Sequence, residues 1–425
     1  YDRRFLSKEA MRWAGEVFAR EGITAYLVNR SSPTPLIMYY VLKHNMHYGM
    51  MVTASHNPAV YNGIKVFTYG GRDADEGQTR DIEEYINHID DCLVEGMEYE
   101  RAVGQGLIVE INPLNEYLDN IINSVDMQAI REAGLRVALD PMYGVSETSL
   151  KTILLTARCD VYTIHERHDT LFGGKLPSPS VDTLRSLQNY VIDHNLDIGI
   201  ATDGDADRIG VIDDTGTFLH PNDILVLLYY YLVKYKGWHG PVVRNIATTH
   251  MLDKVAKSFG EKCYEVPVGF KYISAKMNET DAVIGGESSG GLTVRGHIRG
   301  KDGIYAAALL VEMIALTGKK LSEIAKDIEE EYGAIYMEEK DYKFSQEKKE
   351  EIHKTLLVDK YLPDMPFDIE KISYLDGCKI YFKHGGWVIA RFSGTEPLLR
   401  IFCEMPERED ARMICRIFED FLRIK

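Results

Sequence analysis

No stretch of this 425-residue sequence approaches the run of about 20 apolar residues that a membrane-spanning helix needs. Paired cysteines are missing too. The six thiols (Cys92, Cys159, Cys263, Cys378, Cys403 and Cys415) are scattered without a Cys-x-x-Cys pair and read as buried, reduced groups of a cytoplasmic protein. Basic charge is in deficit: 49 Lys and Arg against 65 Asp and Glu leave a net charge of −16. That balance argues against non-specific nucleic-acid binding, and any anionic ligand must be captured by local cations against the overall field. No signal peptide and no low-complexity segment is visible. At 45% hydrophobic and 27% charged residues the chain is an ordinary globular protein, long enough for two to four domains.

What is present is a set of polar loops that follow apolar runs. Residues 201–208 read Ala-Thr-Asp-Gly-Asp-Ala-Asp-Arg, with Asp203, Asp205 and Asp207 on alternate positions between Ile198-Gly199-Ile200 and Ile209-Gly210-Val211-Ile212. Three carboxylates this close repel, and a divalent cation gathers them most easily. Short acidic side chains suit a hard ion, Mg2+ before Zn2+. The plain alternative is a solvated acidic turn. An EF-hand does not fit, because Arg208 stands where its glycine is needed and Asp214 where its glutamate is.

Thr53-Ala54-Ser55-His56-Asn57-Pro58 follows Met50-Met51-Val52 and places Ser55 on an exposed loop after a strand. It is either a nucleophile awaiting activation or a turn serine with a capping role. No Gly-x-Ser-x-Gly elbow surrounds it. In Arg391-Phe392-Ser393-Gly394-Thr395-Glu396-Pro397, closing with Arg400, two arginines and two hydroxyls could grip a phosphate. The Gly-Lys-Ser/Thr ending of a P-loop is absent. Gly285-Gly286-Glu287-Ser288-Ser289-Gly290-Gly291 is a tight turn or a carboxylate-and-hydroxyl clamp for vicinal sugar hydroxyls.

Together, the four loops resemble the alpha-D-phosphohexomutase family, which includes phosphoglucomutases and phosphomannomutases. Weaker family-like stretches are Tyr1-Asp2-Arg3-Arg4-Phe5-Leu6-Ser7, Val266-Pro267-Val268-Gly269-Phe270-Lys271 and Lys301-Asp302-Gly303. The resemblance implies three similar α/β domains with mixed sheets (1–118, 119–217, 218–330) and a smaller C-terminal α+β domain (331–425), all around a central cleft. It implies a phosphoryl-carrying Ser55 that joins Asp203, Asp205 and Asp207 as ligands of Mg2+. Glu287 and Ser289 would bind the sugar 3- and 4-hydroxyls. Arg391, Ser393, Gly394, Thr395 and Arg400 would hold the idle phosphate, and Lys65 would move a proton at the sugar hydroxyl. His56 and Arg208 would flank nucleophile and metal, and Arg4 matches an active-site arginine.

The implied reaction interconverts hexose 1-phosphate and hexose 6-phosphate through a hexose 1,6-bisphosphate. Phosphoglucomutase is the first expectation, because the Glu-Ser-Ser-Gly-Gly loop resembles the glucose-type loops more than the histidine-containing ones. Phosphomannomutase or a dual-specificity enzyme is the runner-up. A Mg2+-dependent phosphatase and a non-catalytic sugar-phosphate-binding protein are the readings from other classes. The expected partner is the small-molecule substrate, with a monomer or homodimer. Two departures stand out. Gly291 takes the place where several members have histidine, the nearest here being His297, so the second acid/base group is open. The sequence also begins at Tyr1, part-way into the family's first domain, which implies that a first strand and an Arg-bearing loop lie outside it.

Strand-like and helical patterns alternate along the chain, as in layered α/β folds. Helices are predicted at 9–20, 126–133, 224–235, 346–353 and 408–424, with a helical run from 309 continuing into the charged stretch 319–331. Strands are predicted at 25–28, 136–139 and 242–243, and a hairpin at 379–382 and 387–390.

Overall fold

The structure, a computed structural model, describes residues 1–89, 94–392 and 398–424. The apolar runs seen in the sequence become the centres of its sheets. Ile198–Thr202, buried at every position, pairs in parallel with Arg136–Asp140, which pairs in parallel with Asp160–Thr163. Strands this apolar suit a sheet covered on both faces. Ile209–Ile212 then returns antiparallel beside Ile198–Thr202, and Phe218–Leu219 closes the edge. The next sheet repeats the plan: Cys263–Val266, Val242–Asn245 and Ile284–Gly286 are parallel, and Leu292–Val294 returns antiparallel. In the N-terminal part, Tyr48–Val52 and Ile64–Thr68 make the same antiparallel return, extended by Arg72–Asp73. Ala25–Val28 there pairs in parallel with Ile108–Ile111. In all three units the loop inside the antiparallel return (53–63, 203–208, 287–291) carries the residues singled out for chemistry.

Two buried helices fill the space between these sheets. Pro221–Lys234 starts from a His220 cap with Asp223 closing a capping box, and its residues from Ile224 to Val233 are buried. Gly303–Thr317 starts from Asp302, whose carboxylate accepts from the Ile304 and Tyr305 amides. Where the sequence predicts one helical run into the charged stretch, the chain turns at Gly318. A separate helix, Leu321–Tyr332, follows with only one face buried.

The C-terminal unit differs in kind. Its five strands are all antiparallel, in the order Tyr336–Lys343, Leu398–Met405, Trp387–Phe392, Cys378–Phe382, Ile369–Ser373. The predicted hairpin is its centre. Helix Arg408–Leu422 covers one face with Ile414, Phe418 and Leu422. The other face meets the third unit through Trp387, Ile389 and Tyr381 packed on Ile246 and Ala247.

Inside that contact lies a fully buried lysine. Lys379 Nζ donates to Ile246 O (2.6 Å) and Glu265 Oε2 (2.8 Å), touches His250 Nε2 at 3.0 Å, and lies 4.1 Å from the Trp387 ring centre. Burial, with the Arg244 guanidinium adding to it and Glu265 opposing it, pushes Lys379 down to about 7. Glu265 also pairs with Arg244 at 2.7 Å. Lys379→Met takes the donor from the Ile246 carbonyl and leaves Glu265 with Arg244 as its remaining cation, so it should cost about 2 kcal/mol. Urea unfolding followed by tryptophan fluorescence should show the loss, and an unshifted midpoint would contradict a stabilising pair.

Candidate active site

The serine loop is tied down by one side chain. Each N–H of Arg4 is engaged: Nε to Asp2 Oδ2 (3.1 Å), Nη2 to Ser55 O and Asn57 O (both 2.7 Å), and Nη1 to Pro58 O (2.8 Å) and Tyr61 O (3.0 Å). Arg4 thus frames the loop and presents no free donor. Ser55 sits in the left-handed region at φ 52°, a conformation that costs a non-glycine residue about 1 kcal/mol and is held by its surroundings. Its Oγ donates to Asp203 Oδ2 at 2.9 Å and lies 3.4 Å from His56 Nδ1. The exposed serine expected from the sequence is instead 7% exposed, because the aspartate loop of the second unit closes over it. Burial first, then the Arg208 and Lys301 charges, lower His56 to about 4, with Asp207 and Asp205 opposing.

Asp203, Asp205 and Asp207 are buried, with carboxylate oxygens that lie within 4.8 Å of one another. Ala206 makes the turn between them in the left-handed region, at φ 63°. Cations arrive from two other units. Lys65 Nζ donates to Asp205 Oδ2 (2.7 Å) and Asp207 Oδ2 (2.8 Å), and Lys301 Nζ lies 3.0 Å from Asp207 Oδ2. Arg208 Nε stands 3.9 Å from Asp207 Oδ1, and Thr34 Oγ1 donates to Asp205 Oδ2 at 2.5 Å. Burial and the two neighbouring carboxylates raise Asp203 well above the usual range. Burial would raise Asp207 as well, but Lys301, Lys65 and Arg208 outweigh it and hold that carboxyl below the usual range. Burial opposes charge on Lys65, yet Asp205 and Asp207 win and keep its ammonium above its ordinary value.

The residues present fit a divalent cation. Asp205 Oδ1 and Asp207 Oδ1 are buried without a hydrogen-bond partner, a costly state for a charged oxygen unless something binds it. With the Asp203 carboxylate they offer the hard, all-oxygen donor set that Mg2+ takes.

The sugar-loop candidates lie together. Glu287 accepts from the Gly269 amide (3.2 Å) and Asn245 Nδ2 (3.5 Å) at Oε1, and from Ser289 Oγ (3.3 Å) at Oε2. A bridge between Arg208 and Gly291 fastens this loop to the aspartate loop. Gly291 leaves room for the Lys301 stem: a Cβ there would stand 2.2 Å from Lys301 Cδ. His297, the histidine nearest this loop in sequence, is bound to Asp302 Oδ2 at 2.6 Å and packs on Tyr305. On the C-terminal sheet Arg391 and Arg400 face each other directly across the ladder. Arg391 is half-buried and bound to Asp376, whereas Arg400 is exposed beside Asp341 at 3.5 Å. Ser393, Gly394 and Thr395 lie outside the described residues.

Sequence reasoning missed Thr34 and Asp73 and passed over Lys301. Asp73 is paired with Phe67, and so shares a face of the sheet with Lys65. The Lys301-Asp302-Gly303 stretch was the one available signal for Lys301; Thr34 and Asp73 carry none.

The domain models of the phosphoglucomutase/phosphomannomutase family match this chain in order. Alpha/beta/alpha domain I matches at 1–92, domain II at 115–216, domain III at 220–332 and the C-terminal domain at 340–420. The chain belongs to this family. A phosphoglucomutase/phosphomannomutase from Thermococcus kodakarensis is 31% identical over 383 residues, covering 90% of this chain and 80% of the relative. A phosphoglucosamine mutase from Ruminiclostridium cellulolyticum is 30% identical over 404 residues, covering 92% and 81%. A solved structure of a Thermus thermophilus protein assigned as a phosphomannomutase superposes with a TM-score of 0.84 at 28% identity, covering 99% of this chain and 89% of that one. The protein is therefore a phosphohexomutase, an isomerase that works by phosphoryl transfer. No helix among the described residues is long and apolar enough to cross a membrane.

Binding to the folded state raises stability by mass action, so added Mg2+ should raise the thermal midpoint of the parent protein. Asp205→Asn should abolish most of that shift, and an equal shift in both proteins would mean that the triad holds no cation.

Proposed function

We propose that this phosphohexomutase carries the transferring phosphoryl group on Ser55 and acts on hexose 1- and 6-phosphates, glucose first. The observation that supports this most is the contact of Ser55 Oγ with the buried aspartate triad, 2.9 Å from Asp203. The division into units at 118, 217 and 330 then has a purpose: each unit lends one loop.

In this reading Asp203, Asp205 and Asp207 hold Mg2+, with an oxygen of the serine loop completing the protein ligands. The ion supplies neutralising charge for a transferring phosphoryl group. Lys65 holds the Oδ2 oxygens of Asp205 and Asp207, opposite the Oδ1 oxygens left for the cation, and its ammonium beside the triad is the candidate to move a proton at a sugar hydroxyl. Lys301, drawn into the space beside Gly291, is the candidate for the second acid/base group. His56, held neutral by its setting, keeps a ring nitrogen against Ser55 Oγ. Glu287 and Ser289 accept and donate hydrogen bonds at the 3- and 4-hydroxyls. Burial of Ser55 keeps water from a phosphoserine, which favours transfer to sugar over hydrolysis.

Like charges directly opposite on neighbouring strands destabilise a sheet. Arg391 and Arg400 break that rule; Asp376 and Asp341 offset the two charges in part, and a phosphate shared between the arginines would offset them further. The relatives' names divide among glucose, mannose and glucosamine, so the assay offers all three 1-phosphates with trace bisphosphate.

Ser55→Ala should abolish turnover and remove the phosphorylated species from the intact-mass spectrum while binding of glucose 6-phosphate persists; turnover near the parent rate would refute the assignment. Arg400→Lys, which loses the planar fork, should raise KM about tenfold for both the 1- and 6-phosphate. Steady-state kinetics in both directions decide it. An exposed arginine making a surface ion pair would change neither.

A further inference from the structure

One carboxylate outside the four loops binds both the phosphate arginine and the third unit. Asp376 Oδ2 accepts from Arg391 Nε at 2.9 Å, and the same oxygen accepts from the Val268 amide, also at 2.9 Å. The next amide along the chain, that of Gly269, donates to Glu287 Oε1 at 3.2 Å. Two successive peptide N–H groups of the segment 266–270 therefore hold two carboxylates. One belongs to the sugar clamp, and the other orients an arginine of the phosphate clamp.

The turn that carries Asp376 is built to lie against Arg391. Gly377 has φ 95°, and a Cβ on it would stand 2.6 Å from Ala390 O and 3.1 Å from Arg391 Cα. Any larger residue there would push the turn away from the strand that bears the arginine. Asp376 and Arg391 are both half-buried, a setting in which a charge-assisted bond to Nε fixes the guanidinium plane, and among the described residues the Nη nitrogens carry no hydrogen bond.

We propose that Asp376 is a positioning residue. It aims Arg391 at the idle phosphate only while the C-terminal unit is docked on Val268, and so couples the phosphate clamp to the sugar clamp. The inference rests on the reading of Arg391 as part of the phosphate clamp. Its consequence is that the clamp is assembled when the units close: separation costs Asp376 its amide partner and loosens the arginine with it.

The test uses the full chain and whichever of the glucose, mannose and glucosamine phosphates turns over fastest. Asp376→Asn, nearly isosteric, should raise KM about tenfold for both the 1- and 6-phosphate, with kcat changing much less and Ser55 phosphorylated as in the parent protein. Gly377→Ala, which keeps the carboxylate but displaces its turn, should do the same. In a double-mutant cycle, Asp376→Asn added to Arg391→Ala should cost less than about twofold more, because the arginine it orients is gone. Additive losses would overturn the proposal, since Asp376 would then act only in docking. An unchanged KM in Asp376→Asn beside a raised KM in Arg391→Ala would overturn it too and leave the clamp standing. Unchanged KM values in Arg391→Ala would instead strike the clamp itself, and this inference with it.

Discussion

Burying three carboxylates in one loop is the constraint from which the rest of this structure follows. Two unit charges about 4 Å apart repel by about 4 kcal/mol at the effective dielectric of a protein surface, and Asp203, Asp205 and Asp207 crowd within 4.8 Å. Their own unit offers Arg208 alone near them. The remaining compensation comes from Lys65 in the first unit and Lys301 in the third. Neutralising the triad therefore requires the units to meet there. A serine whose hydroxyl touches this triad is next to a carboxylate group able to hold a cation and is buried, two conditions that favour phosphoryl transfer.

The fold reinforces that meeting point by repeating one device. A strand runs in, a polar loop follows, and an antiparallel strand returns to the sheet. Loops built this way are anchored on both sides by ladders, and Ser55 at φ 52° is held further by its own amide, which donates to Thr53 Oγ1 at 2.8 Å. The C-terminal unit has another architecture and is fixed by different means. Lys379 and Glu265 sit inside its contact with the third unit, while Asp376 reaches Val268 at the edge of that contact.

Much of this was legible in the sequence, for physical reasons that differ by residue. The aspartate triad, the serine loop and the sugar loop are contiguous motifs, so their chemistry is visible in a few letters. The apolar runs that precede them foretold Tyr48–Val52 and Ile198–Thr202. What could not be read depends on distant partners. The burial of Ser55 comes from a loop 148 residues away. Lys301 reaches Asp207 only because Gly291 makes room for it, and Thr34 meets Asp205 across 171 residues. Arg4 was legible as a match to an active-site arginine of the family resembled, but only the loop carbonyls around it show that its donors are already spent. Gly318, where the long helical pattern breaks, was in plain view and was outweighed by the apolar periodicity before it.

The central claim is that Ser55 passes its phosphoryl group to a sugar and not to water. Protein labelled with radioactive phosphate on Ser55 and mixed with a hexose 1-phosphate tests this in one turnover. The account predicts that the label leaves Ser55 and appears in hexose bisphosphate and hexose 6-phosphate. Release of the label as inorganic phosphate, or its appearance on Asp203 in place of Ser55, would contradict it.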